Sequence, residues 1–178
     1  MNARVVALTS VFTALGVVFR LLKHAVVGSF QFFNAPLTVA MVAAYVGGPV
    51  VGALSGMLSF VASDVFLGLG LWTPVNASLA GFIGVVWGIV KGHHLGSLAL
   101  FSFAFLSVFI YDILSSLVLY LFFLGNFWVA LVYSFVGLYL PVMGGYMFGI
   151  GPLTELVTSG VTTAVIMRLR KHGSIKID

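Results

Sequence analysis

Three carboxylates are the residues of this chain best placed to do chemistry. Asp64, Asp112 and Glu155 each stand inside an apolar stretch, and the only other acidic residue is Asp178. A carboxylate at bilayer depth is costly, so it faces a polar cavity, pairs with a partner or stays protonated. The sequence places no Lys or Arg at comparable depth, so we expect these acids to lack a basic partner. The pattern indicates transport or binding within a membrane.

Polar and aromatic side chains are expected beside two of these acids, at the outer ends of their helices. Trp72 is followed by Asn76, and an aromatic ring with an amide suits a flat heterocyclic ligand. We predict an outward-facing substrate pocket lined by Gln31, Asn34, Asp64, Trp72, Asn76 and Glu155, with Asp112 nearer the middle as a further ligand or proton site. Candidates to cover this pocket are Phe127, Trp128 and Tyr133. The excess of acids favours a ligand with a cationic or hydrogen-bond-donating group.

Simpler roles compete with binding for each of these residues. Asp64 and Glu155 also fit carboxylates wetted by lipid headgroups, and Glu155 stands near a helix N-terminus, where an acid is favoured. Trp72 fits an anchor in the aromatic belt. Asp112 has possible structural hydrogen-bond partners nearby in sequence, namely Tyr111, Ser115 and Ser116.

Composition predicts one integral membrane domain over residues 1–178. The chain is 61% hydrophobic and only 7% charged, whereas soluble domains carry about 25% charged residues. We expect an all-α polytopic bundle of six transmembrane helices. Cysteine is absent, which excludes disulfides and thiolate metal sites. The net charge of +4 does not indicate nucleic acid, because the basic residues are expected at helix ends, where they set topology.

Apolar runs place the six spans at about residues 4–22, 32–46, 49–69, 75–91, 95–123 and 152–166, with a turn at 70–74. Segment 125–151 is rich in Gly and contains Pro141, so it is a re-entrant, interfacial or broken segment, and a seventh span is the alternative.

Basic residues predict that both termini are cytoplasmic in the cell membrane. Six spans put two basic residues outside, Arg20 and Lys23. They put six inside: Arg4, Lys91, Arg168, Arg170, Lys171 and Lys176.

The sequence contains no motif for an enzyme or a cofactor. There is no P-loop, no nucleophile elbow and no His-Glu-x-x-His. His93 and His94 have no Cys or acid nearby in sequence, so we expect a solvated turn rather than a metal site.

Small residues spaced four apart predict close approach of helices. Two such runs fit internal packing: Gly48, Gly52 and Gly56, and then Gly84, Gly88 and Gly92. On the first helix, an external partner is as plausible as internal packing for Ala3, Ala7, Ser10 and Ala14.

Four segments carry a resemblance to a known family. They are residues 7–18 (ALTSVFTALGVV) with Arg20 and Leu21, residues 34–37 (NAPL), residues 47–56 (GGPVVGALSG) followed by Asp64, and residues 111–114 (YDIL). In order and spacing the chain resembles the substrate-binding S components of energy-coupling factor (ECF) vitamin transporters.

That resemblance implies a six-helix protein that captures a vitamin or related micronutrient on the outer side. It implies partnership with a transmembrane coupling subunit and two cytosolic ATPases. An Ala-x-x-x-Ala motif in the first helix meets the coupling subunit in that family; Ala3 and Ala7 fit it, and Ser10 and Ala14 fit with one substitution.

Two other classes of function stay open on the sequence. One is a stand-alone, proton-coupled secondary transporter, in which Asp112 and Glu155 would titrate. The other is a membrane scaffold without a ligand, whose acids would be interfacial.

Overall fold

Seven α-helices dominate the part of the chain that the computed structural model describes, which is residues 2–28, 30–91, 93, 95–137, 142–144, 147–149 and 151–171. Gly92, Pro141, His94, Lys176 and Asp178 of the sequence predictions lie outside these residues. The helices are α1 Ala3–Val27, α2 Ala35–Gly47, α3 Pro49–Leu67, α4 Trp72–Val90, α5 Ser97–Leu124, α6 Phe127–Val136 and α7 Gly151–Lys171. The predicted all-α membrane bundle is confirmed.

A helix occupies each of the six predicted spans. Four of them, α1, α3, α4 and α5, are long and apolar enough to cross a membrane. The second, α2, has only 13 residues, or about 20 Å at 1.5 Å per residue. Its residues 35–45 are all buried, because α1, α3, α4 and α7 surround it. The chain is therefore a multi-pass membrane protein with one enclosed short helix.

The start of α2 is set by its capping residues. Asn34 Oδ1 accepts a hydrogen bond from the Leu37 N–H at 3.2 Å, and Pro36 occupies the first turn, where its missing N–H costs nothing. At the other end Gly48 joins α2 to α3 with a φ of 89°, a conformation that favours glycine. The two helices therefore form a tight antiparallel hairpin.

Glycines allow α3 and α4 to touch through their backbones. A Cβ on Gly84 would stand 2.4 Å from the Gly52 carbonyl carbon, and a Cβ on Gly52 would stand 2.3 Å from the Ala44 Cβ. No side chain fits at such distances. The internal packing predicted from the four-residue spacing is confirmed at these positions.

The bundle has two packing groups. Helices α1 to α4 pack on one another, while α5 packs on α6 and α7. The groups meet where α4 contacts α5 and where α2 contacts α7. The helices α1 and α3 finish at the same end of the bundle at which α2 and α7 begin. We call this the Asp64 end.

The segment after α5 is a short helix followed by two strands. Asn126 caps α6, since its Oδ1 accepts from the N–H groups of Trp128 and Val129. With ten residues, α6 is too short to cross a hydrocarbon core of about 30 Å. Three strands, β1 Phe30–Gln31, β2 Val142–Gly144 and β3 Met147–Gly149, form a sheet in the order β1-β3-β2.

In that sheet β1 runs parallel to β3, with Phe30 opposite Phe148, and β2 runs antiparallel to β3. The sheet therefore ties the segment before α2 to the segment before α7.

Candidate functional site

A buried ion pair joins α1 to α3 at the Asp64 end. Arg20 Nη2 lies 2.7 Å from Asp64 Oδ1, and the two side chains are 8% and 1% exposed. The expectation that the acids have no basic partner is therefore wrong for Asp64, and so is its interpretation as a wetted interfacial acid. The physical reason is that α1 continues to Val27, about two turns beyond Arg20, so this residue does not end the helix.

Neighbouring groups complete the coordination of this pair. Arg20 Nη1 donates to Ser63 Oγ at 2.6 Å, and the guanidinium stands 4.8 Å from the centre of the Phe60 ring. Thr73 donates its hydroxyl to Asp64 Oδ2 at 2.7 Å. Asp64 therefore holds together α1, α3 and the first turn of α4.

Lys23 and Gln31 form a second contact at this end. The sequence placed Lys23 outside, at the end of the first span, but its side chain is buried in the bundle. Its ammonium group donates to Gln31 Oε1. The side-chain amide of Gln31 donates through Nε2 to the backbone carbonyl of Phe33 at 3.2 Å. The backbone carbonyl of Gln31 accepts from the Thr154 hydroxyl at 3.0 Å. Gln31 thereby connects α1 to the start of α7.

Asn34 connects the start of α2 to α7. Its backbone N–H donates to Thr158 Oγ1 at 3.0 Å. On α5, the Tyr111 ring stacks on Phe60 with 6.0 Å between centroids. Since the Arg20 guanidinium also stands over Phe60, this ring links α5 to the Arg20 pair.

Glu155 lies on α7, which packs against α5 and α2. Its side chain is 2% exposed, and its Oε1 has no hydrogen-bond partner in the described residues. Asp112 lies on α5 and is partly exposed. The described part of the chain provides neither acid with an ion pair.

The interpretation of Glu155 as a carboxylate wetted by headgroups is wrong, because α7 buries its side chain to 2% exposure. Glu155 does stand near the helix N-terminus, as the fifth residue of a helix that begins at Gly151. The hydroxyl of Ser115, a candidate partner of Asp112, donates instead to Asn76 Oδ1 at 2.5 Å. Asn76 is therefore held across the contact between α4 and α5.

Trp72 stands in the first turn of α4, where the sequence predicted a loop. Its Nε1 donates to the Gly68 carbonyl at 3.3 Å, and its ring covers Gly70 so closely that a Cβ there would be 2.4 Å away. The ring therefore packs on the turn that precedes its own helix. A ligand contact for Trp72 stays a prediction.

The aromatic residues proposed as a cover lie on α6, which packs against α5. Phe127, Trp128 and Tyr133 are all exposed, and the Tyr133 ring lies 5.7 Å from that of Tyr120. Their role over a ligand stays a prediction too.

The structure thus brings Gln31, Asn34, Asp64, Trp72 and Glu155 to the Asp64 end, whereas Asp112 lies midway along α5 and Asn76 is held against α5 by Ser115. Residues that sequence reasoning missed are Arg20 and Lys23 as interior groups, and Thr158. The signal for the first two was their spacing of three, which puts both on one face of α1. The signal for Thr158 was the four-residue repeat of buried Thr154, Thr158 and Thr162. Comparison of the chain with known protein families, curated proteins and solved structures finds no match.

Proposed function

We propose that this chain is the substrate-binding S component of an ECF-type transporter. In this role it captures a vitamin or related micronutrient from outside, for ATP-driven uptake by its partner subunits. The observation that carries the proposal is the buried Glu155 side chain, whose Oε1 has no hydrogen-bond partner in the described residues and which follows the Thr154 contact to Gln31 at the Asp64 end of a membrane bundle. Such a polar cluster at membrane depth marks a ligand or ion site by default.

The distribution of charge supports an outward-facing Asp64 end. The connections at that end, residues 28–34, 68–71 and 125–150, contain no Lys or Arg. Arg20 and Lys23 are buried in the bundle instead of lying in those connections. Of the other basic residues, Arg4 lies at the start of α1, Lys91 directly follows α4, and Arg168, Arg170 and Lys171 lie in the last turn of α7. By the positive-inside rule, both termini are then cytoplasmic.

An exposed face of α1 is suited to contact with a helix of a partner protein. Four small residues, Ala3, Ala7, Ser10 and Ala14, are all exposed in the isolated chain. Small residues four apart let two helix backbones approach closely in a membrane. This face is where the proposed coupling subunit binds.

Transport and binding measured separately test the proposal. We expect Ala7→Leu and Ala14→Leu to abolish ATP-dependent uptake in cells that supply coupling and ATPase subunits, because the added bulk separates the two helices. The compound that co-purifies with the chain in detergent, identified by mass spectrometry, should still bind. Ala25→Leu, on an exposed position at the other end of α1, is the matched control.

Two results would contradict the partner face. Loss of binding together with uptake would make the face internal packing, and full uptake in both variants would mean that neither residue meets a partner.

A second candidate is a proton-coupled carrier that works alone, and the buried, unpartnered Oε1 of Glu155 favours it as well. Purified chain in proteoliposomes distinguishes the two. Uptake of the co-purifying compound driven by a proton gradient without ATP supports the carrier, whereas uptake only with ATP and partner subunits supports the S component. A scaffold without a ligand would retain no compound at all.

A further inference from the structure

The end of α7 carries a concentration of positive charge. Arg168, Arg170 and Lys171 all lie in the last turn of this helix. The nearest acid before them on α7 is Glu155, which precedes Arg168 by 13 residues, or about 20 Å along the helix axis. This end of the helix therefore attracts anionic groups.

A groove of about 650 Å³ runs beside these charges, and we call it the α7 groove. The described residues that line it are Ala164, Met167, Arg168, Arg170 and Lys171. All but Arg170 follow the spacing i, i+3, i+4 and i+7, which puts them on one face of the helix, and these four residues are exposed. This face is apolar where α7 runs into the bundle and basic where the helix ends.

Arg170 is fixed in place by contacts to other elements. Its Nε donates to the Tyr45 hydroxyl at 2.9 Å, and its Nη1 donates to the Leu95 carbonyl at 2.6 Å. The guanidinium also stands 5.0 Å from the centre of the Tyr45 ring. These contacts join the end of α7 to α2 and to the segment before α5. The α7 groove therefore has a firmly held base, beside which Arg168 and Lys171 are the exposed cations.

The groove distinguishes this helix end from others that carry basic residues. Positive charge alone is usual where a helix leaves the membrane on the cytoplasmic side, and it needs no ligand. An apolar wall and two cations on the same face match the two parts of a phospholipid, its acyl chain and its phosphate. Basic pockets beside transmembrane helices bind the headgroups of anionic lipids. A free anion would use the cations and leave the apolar wall uncovered.

We propose that an anionic phospholipid binds in the α7 groove. Its phosphate is held by Arg168 and Lys171, the first of which can make two parallel hydrogen bonds to phosphate oxygens. An acyl chain lies along Ala164 and Met167. This site is at the opposite end of the bundle from Glu155, and it does not depend on the function proposed above.

Native mass spectrometry of the detergent-purified protein tests the site. The probes are phosphatidylglycerol, which is anionic, and phosphatidylcholine with the same acyl chains, which is zwitterionic. We expect wild type to bind phosphatidylglycerol more tightly. Each cation removed should weaken that binding about fivefold, the contribution of one basic residue near an anionic surface, and Arg168→Gln/Lys171→Gln should weaken it roughly 25-fold. Its affinity for phosphatidylcholine should stay unchanged.

Two further variants separate a site from general electrostatic attraction, and gel filtration first checks each variant for a single species. Arg4→Gln/Lys91→Gln removes the same charge from the same end of the bundle, where α1 begins and α4 ends, and should change the affinity by no more than about twofold. Arg168→Lys/Lys171→Arg keeps both charges and should keep the preference for phosphatidylglycerol. If the double glutamine variant aggregates, the two single variants replace it.

Several results would overturn the site. They are absent binding or equal affinity for the two lipids in wild type, an unchanged affinity in the variants of Arg168 and Lys171, and an equal loss in Arg4→Gln/Lys91→Gln. Displacement of phosphatidylglycerol by inorganic phosphate would replace the lipid with a free anion as the ligand, and so would also contradict the proposal.

Discussion

Removing one member of the Arg20–Asp64 pair should destabilise the protein far more than losing a surface charge. In Arg20→Met the Asp64 carboxylate stays 1% exposed, with Thr73 as its remaining donor among the described contacts. Breaking a buried pair in this way costs about 3–5 kcal/mol in free energy of unfolding, because the other charge is left uncompensated. Exposed ion pairs are worth only about 0–1 kcal/mol.

The double variant Arg20→Met/Asp64→Asn should be more stable than Arg20→Met alone. It removes both charges, and the amide oxygen that replaces the carboxylate can still accept from Thr73. We expect a coupling energy within the range of about 0.5–3 kcal/mol measured for contacting residues, and near its upper end. The direction of the change from Arg20→Met to the double variant distinguishes an ion pair from a packing contact. If the two residues made only packing contacts, the second substitution would lower the free energy of unfolding further.

Reversible denaturant titration in detergent micelles, followed by tryptophan fluorescence, measures these free energies. Arg4→Met is the matched control, because Arg4 is exposed on the same helix and should change stability by no more than about 0.5 kcal/mol. A cost below about 1 kcal/mol for Arg20→Met, or strict additivity in the double variant, would refute the buried-pair argument.

Three further predictions concern packing and topology. Gly84→Ala should prevent assembly of a monodisperse bundle, because the added Cβ would stand 2.4 Å from the α3 backbone. Gly160→Ala is the control and should purify normally, because there is open space around Gly160. Gel filtration measures the outcome for both variants. Tyr45→Phe should lower the free energy of unfolding by about 1.5–3 kcal/mol, because it removes the hydroxyl that accepts from Arg170 Nε at 2.9 Å; an unchanged unfolding curve would contradict this. A cysteine introduced as Asn2→Cys, unique in the chain, should react with an impermeant maleimide only after permeabilisation, and labelling of intact cells would reverse the proposed orientation.

The helices could be predicted from the sequence because their signals are local. Long apolar runs with breakers between them set α3, α4 and α5, and the Asn34–Pro36 start of α2 follows from capping chemistry. The glycine spacing likewise indicated where α3 and α4 touch.

The electrostatics of the site could not be predicted in the same way. A basic residue near a helix end normally extends its charge toward the interface, and nothing local distinguishes that outcome from the turn of Arg20 toward Asp64, 44 positions away. The burial of Glu155 likewise depends on how α7 packs against α2 and α5. Strands of two or three residues show no usable alternation, so the sheet left no signal in the sequence.

The enclosure of α2 has a consequence for how the protein is made. This helix is about 20 Å long, and α7 contacts it through Thr158, Thr162 and Arg170, which are synthesised more than a hundred residues later. During translation α2 is therefore made well before α7, and the polar groups that contact α7 have no partner there until α7 is inserted. Chains truncated before α7 would present that unfinished surface to the membrane quality-control machinery. The helix α7, synthesised long after α2, thus completes the burial of α2.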